Sequence, residues 1–401
     1  MTRSLRGPLV LVGFAALLFG SVAESQPPVL RSSVPAAEAP VSPVWVEHPE
    51  ALAHFHRALE GLRRDRGRTV RVMHFGDSNV AADLWTHVAR ESLQQRFGAG
   101  GSGYLLPRGH GSWHRGGVRV RAEGRWLSRR RGFARDFGPD DGLWGLAGVG
   151  VEPEAGGARL RLDVPAGRAG RRFELHALGR TAPGRLAVKV DDGDWQIVDL
   201  RAPSARLVLR RWSLDAGAHV VQVRHAGGRP RLLGLVVEEE SGVVYDVLGI
   251  NGHRASAILH WNEPLLRAQL SERRPDLVVL SYGGNEALDP NLPLDTYAAQ
   301  TRLAVEKIRA LAPQASCLLV GPLATYPVHA ARMSAVTAIQ RSLAPSLGCA
   351  FWDSSQTSGG PGTLRRWGRY PGMVSGDHLH LGPQGYERVG REFAEALLRG
   401  L

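Results

Sequence analysis

The sequence predicts a three-layer α/β domain built on a parallel sheet, with an antiparallel β-sandwich inserted into it. Short apolar runs of strand length alternate with helical patterns before about residue 112 and after residue 241, as in a parallel sheet covered by helices. Between these two parts, apolar and polar residues alternate with a period of two. The chain has 401 residues, 43% hydrophobic and 22% charged, which excludes a disordered chain and a small disulfide scaffold.

The α/β domain, which we assign to residues 49–112 and 241–401, contains the apolar strands. A helical pattern from Leu52 to Leu62 precedes the first strand, and further helical patterns lie between the later strands and near the C-terminus. The predicted strands are Thr69–Phe75, Val243–Leu248, Leu277–Ser281, Cys317–Val320 and Cys349–Trp352.

The inserted segment, residues 113–240, has the pattern of half-buried strands. Apolar residues occupy every second position in residues 160–164, 173–177 and 186–190, and Asp192-Gly193 lies where a hairpin would turn. Several such strands at short spacing predict an antiparallel sandwich that is large enough to be a module of its own.

The N-terminus has the features of a secretory signal peptide, residues 1–23. Arg3 and Arg6 precede a short apolar run, and Ser21 and Ala23 supply the small residues that a signal peptidase needs. The run is shorter than the about 20 residues that span a bilayer. An uncleaved anchor is the alternative, and it would be the only membrane contact that we expect. Residues 24–48 contain five prolines and predict an extended tether. We therefore expect an extracytoplasmic protein, either periplasmic or secreted.

The charge balance is basic, since 50 Lys and Arg residues face 38 Asp and Glu residues. Arginine accounts for almost all of the excess and is spread along the chain, and no nucleic-acid-binding motif accompanies it, so we expect no nucleic-acid partner. Residues 108–135 are rich in arginine and contain Trp113 and Trp126. This stretch is either a solvated loop or a platform that binds glycans or polyanions.

The two cysteines, Cys317 and Cys349, each begin an apolar run that is typical of a strand. If these strands are neighbours, an oxidising compartment permits a disulfide, and two buried thiols are the alternative. Their spacing excludes a CxxC metal site.

Candidate catalytic residues follow the predicted strands or lie near the C-terminus. The carboxyl ends of the strands are where open parallel sheets bind ligands. The four blocks of interest are Gly76-Asp77-Ser78-Asn79, Gly249-Ile250-Asn251-Gly252, Gly283-Gly284-Asn285-Glu286 and Asp377-His378-Leu379-His380.

Each block contains a residue type that suits acyl transfer. A serine at a helix N-terminus lies where backbone N–H groups favour an oxyanion, and an asparagine amide donates to such a charge without adding a base. Asp377, three residues before His380, can accept from the imidazole Nδ1–H and hold Nε2 toward a nucleophile. The simpler alternatives are an N-cap at Ser78, ordinary loop residues, surface histidines, and a metal site at His378 and His380.

Taken together and in this order, the four blocks resemble those of the SGNH or GDSL hydrolase superfamily. The resemblance covers residues 69–112 and 242–400 and implies a flavodoxin-like three-layer sheet. The family reaction is hydrolysis or transfer of acyl groups from oxygen or sulfur esters, without a metal or cofactor. The resemblance implies that the nucleophile is Ser78, the base His380, the orienting acid Asp377, and the oxyanion-hole donors Ser78, Gly252 and Asn285.

The larger layout resembles a narrower group, the bacterial peptidoglycan O-acetylesterases. In that group a jelly-roll-like, carbohydrate-binding-type sandwich is inserted after the first strand and helix. Residues 96–104 (RFGAGGSGY) and 242–252 (GVVYDVLGING) also resemble the group. Two positions depart from the superfamily pattern, Asn79 and Glu286, and we expect neither to touch a catalytic atom.

These observations predict a serine esterase that removes O-acetyl groups from an extracytoplasmic carbohydrate, with acetylated peptidoglycan as the expected substrate. A carbohydrate O-acetyltransferase that uses the same triad is the nearest alternative. The other alternative is a non-catalytic glycan-binding protein, in which the sandwich binds the glycan and the α/β domain is only a scaffold.

Overall fold

A computed structural model describes residues 45–401, apart from residues 66, 108–113, 116, 131–140, 155, 167–170, 183, 324–328, 359 and 361–362. The predicted signal peptide, most of the predicted tether, and Trp113 of the arginine-rich stretch lie outside the described residues. The described residues belong to one compact unit. In this part of the chain, no helix is long and apolar enough to cross a membrane.

The described strands form one parallel sheet and two antiparallel sheets. The strands are β1 (Thr69–Gly76), β2 (Gly101–Leu105), β3 (Arg119–Glu123), β4 (Trp126–Arg130), β5 (Val149–Pro153), β6 (Arg159–Val164), β7 (Arg172–Gly179), β8 (Gly184–Val190), β9 (Gln196–Asp199), β10 (Arg206–Ser213), β11 (His219–Gly228), β12 (Arg231–Glu238), β13 (Gly242–Gly249), β14 (Leu277–Ser281), β15 (Ser316–Val320) and β16 (Ala350–Trp352).

The parallel sheet has the order β13-β1-β14-β15-β16. Counted within this sheet alone, the order is 2-1-3-4-5, which is the flavodoxin-like order that the sequence predicts. The insertion between β1 and β13 does not disturb their pairing, since the register runs without a break from Thr69 opposite Gly242 to Gly76 opposite Gly249. The fold class is therefore confirmed.

Helices cover both faces of this sheet. Because side chains on a strand point alternately to opposite faces, Val70 and Val72 of β1 enter one apolar core while Met73 and Phe75 enter the other. The helices are α1 (Ala53–Arg64), α2 (Ser78–Ala81), α3 (Trp85–Phe97), α4 (Glu263–Arg273), α5 (Gly284–Ala287), α6 (Leu294–Leu311), α7 (Ala330–Ser346), α8 (Thr363–Trp367) and α9 (Pro383–Leu398).

The inserted segment forms a sandwich of two antiparallel sheets. One sheet has the order β10-β7-β12-β5-β4, with β2 also paired to β12, and the other has the order β3-β6-β11-β8-β9. A third apolar core lies between them. Trp126 is buried in this core, so it cannot serve as part of an exposed glycan platform.

Strand β7 corrects one expectation. The alternation predicted a half-buried strand, but residues 173–179 are buried on both faces. Phe173 and Leu175 enter the sandwich core, and the side chains between them lie against the α/β domain, where Glu174 contacts His176 and the arginines of neighbouring strands. The inner sheet of the sandwich is therefore covered by protein on both sides.

Buried ion pairs join the sandwich to the α/β domain. Glu238 of β12 contacts Arg71 of β1 at 2.8 Å and Arg273 of α4 at 2.6 Å, and Arg273 also contacts Asp246 of β13 at 2.8 Å. Arg273, Glu238 and Asp246 are almost completely buried. A buried charge is stable only when it is paired, so these contacts hold the sandwich in one position on the α/β domain.

The two glycine-rich segments that resemble the narrower group lie side by side. Val243 donates its N–H to the Gly98 carbonyl and accepts from the Gly100 N–H. A Cβ on Gly100 would lie 2.8 Å from the Val243 carbonyl carbon, so the glycine permits this close approach. Further along, the Tyr104 N–H donates to Asp246 at 2.7 Å.

Long-range contacts fix the edge of the parallel sheet that is formed by β15 and β16. Cys317 and Cys349 form a disulfide, as neighbouring strands allow, with their Cα atoms 4.6 Å apart. Glu47 pairs with Phe351 of the edge strand β16. The chain is therefore bound to the sheet from within the last few residues of the predicted tether.

Candidate active site

Three of the four predicted blocks meet at the carboxyl edge of the parallel sheet. Gly76, at the end of β1, lies opposite Gly249 at the end of β13 and opposite Ser281 at the end of β14. Ser78 therefore follows the middle strand, with the Gly252 block on one side and the Asn285 block on the other. The sheet register alone gives this arrangement.

Ser78 begins the short helix α2, and Asp77 caps that helix. The Asp77 carboxylate accepts from the backbone N–H of Asn79 at 2.9 Å and from its side-chain amide at 3.1 Å. Burial raises the pKa of Asp77, although these hydrogen bonds oppose the effect. A Cβ on Gly249 would lie 2.3 Å from the Ala81 nitrogen, so α2 packs directly on the end of β13. These contacts fix the position of the Ser78 side chain.

The structure brings Ser78, His380 and Asp377 into one hydrogen-bonded row. The Ser78 Oγ lies 2.8 Å from the His380 Nε2, and the His380 Nδ1 lies 2.6 Å from the Asp377 Oδ2. Ser78 and His380 are separated by 302 positions in the sequence. With Nδ1–H donating to the carboxylate, Nε2 is left unprotonated and faces the serine hydroxyl, which is the tautomer that a general base needs.

The loop that carries Asp377 holds that carboxylate in place. The Asp377 Oδ1 accepts from the backbone N–H groups of Leu379 at 2.9 Å and His380 at 3.0 Å. His378, between them, has a left-handed backbone with φ 55°. Partial burial raises the pKa of Asp377, but the hydrogen bonds from His380 and from the backbone outweigh it and hold the pKa below its usual value. The carboxylate is therefore ionised at neutral pH.

The predicted oxyanion donors lie in the two flanking loops. Asn285 is in α5, and one of its amide N–H groups donates to the His253 carbonyl at 2.8 Å, which orients the amide. An asparagine amide has a second N–H, and that group is the one we predict to contact an oxyanion. Gly252 has φ 77° in the turn that follows β13, a conformation that favours glycine. Their role as oxyanion donors stays a prediction.

Asn79 and Glu286, the two departures from the family pattern, have defined structural contacts. The Asn79 side-chain oxygen accepts from the Tyr386 hydroxyl at 2.7 Å, which links the Ser78 turn to α9. Glu286 is buried and accepts from the backbone N–H groups of Ala255 at 2.9 Å and Gly283 at 3.0 Å. Burial raises the pKa of Glu286 to about 7. The sequence marks both positions as unusual but does not reveal these contacts.

A buried histidine lies beneath the site and was not predicted. His74, on β1, is hydrogen-bonded through Nδ1 to the Tyr245 hydroxyl at 2.7 Å and through Nε2 to the Ser281 Oγ at 2.6 Å. Burial lowers the pKa of His74 to about 3, so the ring is neutral. These bonds join the three adjacent strands β13, β1 and β14 just below the point at which the catalytic blocks begin.

The alternative of a metal site at His378 and His380 does not fit this geometry. Both ring nitrogens of His380 are already within hydrogen-bond distance of Ser78 and Asp377. A metal bound by His380 would have to displace one of these two partners. Within the described ranges, no group of three or more His, Cys, Asp or Glu side chains is arranged to hold a metal ion.

Comparison with known families and structures agrees with this geometry. Residues 210–388 match the model of the GDSL-like lipase/acylhydrolase family. The match contains Gly252, Asn285, Asp377 and His380 but not Ser78, which precedes the inserted sandwich. No functionally curated protein matches the sequence.

Among solved structures, one of a peptidoglycan O-acetylesterase superposes with a TM-score of 0.72 at 22% identity, covering 88% of this chain and 97% of that one. A family two carbohydrate esterase from Cellvibrio japonicus matches at 12% identity and a TM-score of 0.30, covering 70% of this chain and 97% of that one. The protein TesA matches at 22% identity and a TM-score of 0.31, covering 40% of this chain and 79% of that one. The first of these shows that the two chains share a fold over nearly their whole lengths. With the family match over residues 210–388, this shared fold agrees with the SGNH hydrolase fold that the sequence predicts.

Proposed function

We propose that this chain is a serine O-acetylesterase that acts on an extracytoplasmic carbohydrate, and that this carbohydrate is acetylated peptidoglycan. The observation that carries the proposal is the row of hydrogen bonds from Ser78 through His380 to Asp377, at 2.8 and 2.6 Å. A scaffold that only bound glycans would have no need of this arrangement.

The first half of the proposed reaction forms an acetyl-enzyme. The Ser78 Oγ attacks the acetyl carbonyl carbon while the His380 Nε2 takes the hydroxyl proton, and Asp377 stabilises the imidazolium that results. The tetrahedral oxyanion accepts hydrogen bonds from the Ser78 and Gly252 N–H groups and from the Asn285 amide. As the C–O bond to the sugar breaks, His380 returns the proton to the sugar oxygen.

The second half releases acetate. Water attacks the acetyl carbon and gives a proton to His380, and the Ser78 Oγ leaves and takes that proton back. A sugar hydroxyl in the place of this water would make the protein an O-acetyltransferase, so the two activities differ only in what reaches the acetyl-enzyme.

The choice of a carbohydrate substrate is supported by two observations. One is the shared fold with a protein described as a peptidoglycan O-acetylesterase, and the other is the sandwich that follows the first strand and helix in sequence. The extracytoplasmic location is supported by the signal-peptide pattern of residues 1–23.

Acetate release from O-acetylated peptidoglycan tests the proposal. The mature chain is compared with its Ser78→Ala variant, and the acetylated polymer with the same polymer after mild base has removed its acetyl groups. We expect release only by the wild-type protein and only from the acetylated polymer. Cleavage of simple acetyl esters without acetate release from peptidoglycan would support the serine esterase activity and reject peptidoglycan as the substrate. Inactivity on both would favour the transferase or glycan-binding alternative.

A further inference from the structure

The outer sheet of the sandwich, β3-β6-β11-β8-β9, has one face turned away from the sandwich core. Leu160, Leu162 and Val221 point into the core, and the residues that alternate with them point outward. We call this second side the outer face. On these described strands its charged side chains are the basic Arg119, Arg121, Arg159, Arg161, Arg185, Lys189 and Arg224, and the acidic Glu123, Asp163 and Asp199.

Arginines on the outer face lie opposite one another on adjacent strands. Arg121 pairs in register with Arg161, and Arg159 pairs in register with Arg224. Like charges at directly opposite positions destabilise a sheet. Arg161 and Arg121 share a single ion-pair partner, Asp163, at 2.7 Å and 3.6 Å respectively. Glu123, 3.3 Å from Arg159, balances part of this charge, but across these described strands the three acidic side chains do not balance the seven basic ones.

The helices of the α/β domain show a different charge pattern. Arg267 lies 2.8 Å from Glu263 and Arg388 lies 3.1 Å from Glu392, each pair four residues apart on one helix. Arg302 and Glu306 are spaced in the same way. Each of these helical arginines has an acid of its own. On the described outer face, Arg159 lies between Glu123 and Arg224, and two further arginines share one aspartate.

An aromatic ring lies at the edge of the outer face. Trp195 immediately precedes Gln196, which pairs with Val188, so it stands beside Lys189. The Arg224 guanidinium lies over the Trp195 ring, 4.1 Å from its centroid. Indole faces stack on sugar rings, and guanidinium groups form paired hydrogen bonds with carboxylates.

We propose that the outer face binds a polysaccharide that carries carboxylate groups. The charge and the Trp195–Arg224 pair are complementary to such a polymer. A nucleic acid fits less well, because Asp163 and Glu123 among the arginines repel a phosphate on every nucleotide, whereas carboxylates spaced along a glycan can avoid them. This surface is separate from Ser78 and does not depend on the proposed esterase reaction.

Binding to polygalacturonate without acetyl groups tests this surface. The wild-type protein is compared with the double variant Arg161→Ala/Arg224→Ala and with the matched control Arg267→Ala/Arg302→Ala, by calorimetry at two salt concentrations. One exposed charge pair contributes up to about fivefold in affinity. We therefore expect the first variant to bind about 5- to 25-fold more weakly and the control to bind as the wild type does. Higher salt should weaken wild-type binding.

Three outcomes would overturn the proposal: no binding by the wild type, equal losses in the two double variants, or tighter binding to a DNA duplex than to polygalacturonate. Hydrolysis of p-nitrophenyl acetate, measured on the same samples, should be equal in all three proteins. This hydrolysis depends on the proposed catalytic site and not on the outer face. Loss of polygalacturonate binding with normal hydrolysis therefore differs from loss of hydrolysis with normal binding.

A second, independent observation concerns Glu286. Its two carboxylate oxygens accept from two different loops, Oε1 from the Ala255 N–H and Oε2 from the Gly283 N–H. Ala255 lies three residues after Gly252, and Gly283 lies two residues before Asn285. A single buried side chain therefore ties together the loops that carry the two predicted oxyanion donors.

We infer that Glu286 is a positioning residue that sets the spacing between the Gly252 N–H and the Asn285 amide, an inference that rests on the proposed function. In Glu286→Gln, an amide NH2 must face one of the two backbone N–H groups and push that loop away. We expect kcat for p-nitrophenyl acetate to fall about 10- to 100-fold with little change in KM. Affinity for phenylboronic acid, which forms a tetrahedral anion on an active-site serine, should fall in parallel.

Glu286→Asp and Glu306→Gln complete this test. Aspartate keeps both acceptor oxygens and should retain more activity than glutamine, and Glu306, exposed on α6, serves as the control. A role in stability alone would lower the melting temperature and leave kcat and boronate affinity per folded molecule unchanged, and that result would overturn the inference. If Glu286→Gln does not fold, wild-type kcat and boronate affinity in Glu286→Asp would overturn it, and a parallel loss of both would support it. Inactive wild-type protein would count against the esterase proposal instead.

Discussion

The Asn285→Ala variant tests whether Asn285 contributes to catalysis more than to the stability of the fold. The substitution removes the predicted side-chain donor to the oxyanion and also the hydrogen bond to the His253 carbonyl, 2.8 Å long. Loss of one oxyanion donor lowers kcat by about 10²- to 10³-fold, which corresponds to about 2.7–4 kcal/mol of transition-state stabilisation. The lost neutral hydrogen bond costs about 0.5–1.5 kcal/mol of folding free energy. The effect on kcat should therefore be much larger than the effect on stability.

Steady-state kinetics on p-nitrophenyl acetate and thermal unfolding provide the two measurements. We expect kcat to fall at least 100-fold, KM to change by less than about threefold, and the melting temperature to fall by only a few degrees. Asn291→Ala, an exposed position in the following loop, is the matched control and should behave as the wild type does. A kcat within about fivefold of the wild type would refute the assignment of Asn285 as an oxyanion donor.

Three further predictions follow from contacts in the structure. Asp377→Ala should lower kcat about 100-fold or more between pH 6 and 9. Because hydrogen bonds hold the native pKa of Asp377 below its usual value, the carboxylate is ionised across this range and loses its contribution to kcat only as the pH falls through that lowered pKa. A kcat of the variant within threefold of the wild type across this range would contradict this. Arg273→Met leaves Glu238 and Asp246 buried without their shared cation, so urea unfolding should show a loss of about 3–5 kcal/mol, against almost none for the exposed Arg274→Met; equal losses would refute the pairing. Cys349→Ser opens a cross-link between residues 32 positions apart and should cost about 3–4 kcal/mol, and dithiothreitol should destabilise the wild type but not the variant; wild-type stability unchanged by dithiothreitol would argue against the disulfide.

The parallel sheet was predictable because its strands are buried on both faces. Residues 277–280 form a continuous apolar run, and such a run between helical patterns has few other interpretations. Three of the four blocks were predictable for a related reason, since strand ends meet at one edge of the sheet. The fourth was predictable from the spacing of Asp377 and His380. The relative order of the four blocks along the chain then gave the family resemblance.

The missed features depend on tertiary contacts that have no local sequence pattern. Strand β2 carries glycines at positions 101 and 103, which usually indicate a loop, yet it pairs with β12. In β7 the polar Glu174 and His176 suggest a solvent-facing side, but they are buried against the α/β domain. The contacts of Glu286 with Ala255 and Gly283 depend on the meeting of two loops, which the sequence does not specify.

Covalent trapping with a serine-directed reagent tests whether Ser78 is the catalytic nucleophile. The wild-type protein and its Ser78→Ala and His380→Ala variants are treated with a fluorophosphonate, and the products are examined by intact-mass and peptide mass spectrometry. We expect one adduct per wild-type chain, located on Ser78, with loss of esterase activity in proportion to labelling. We also expect no adduct in Ser78→Ala and slow labelling in His380→Ala, because the base that activates the serine is absent. An adduct on another residue, or esterase activity that survives complete labelling of Ser78, would show that Ser78 is not the nucleophile.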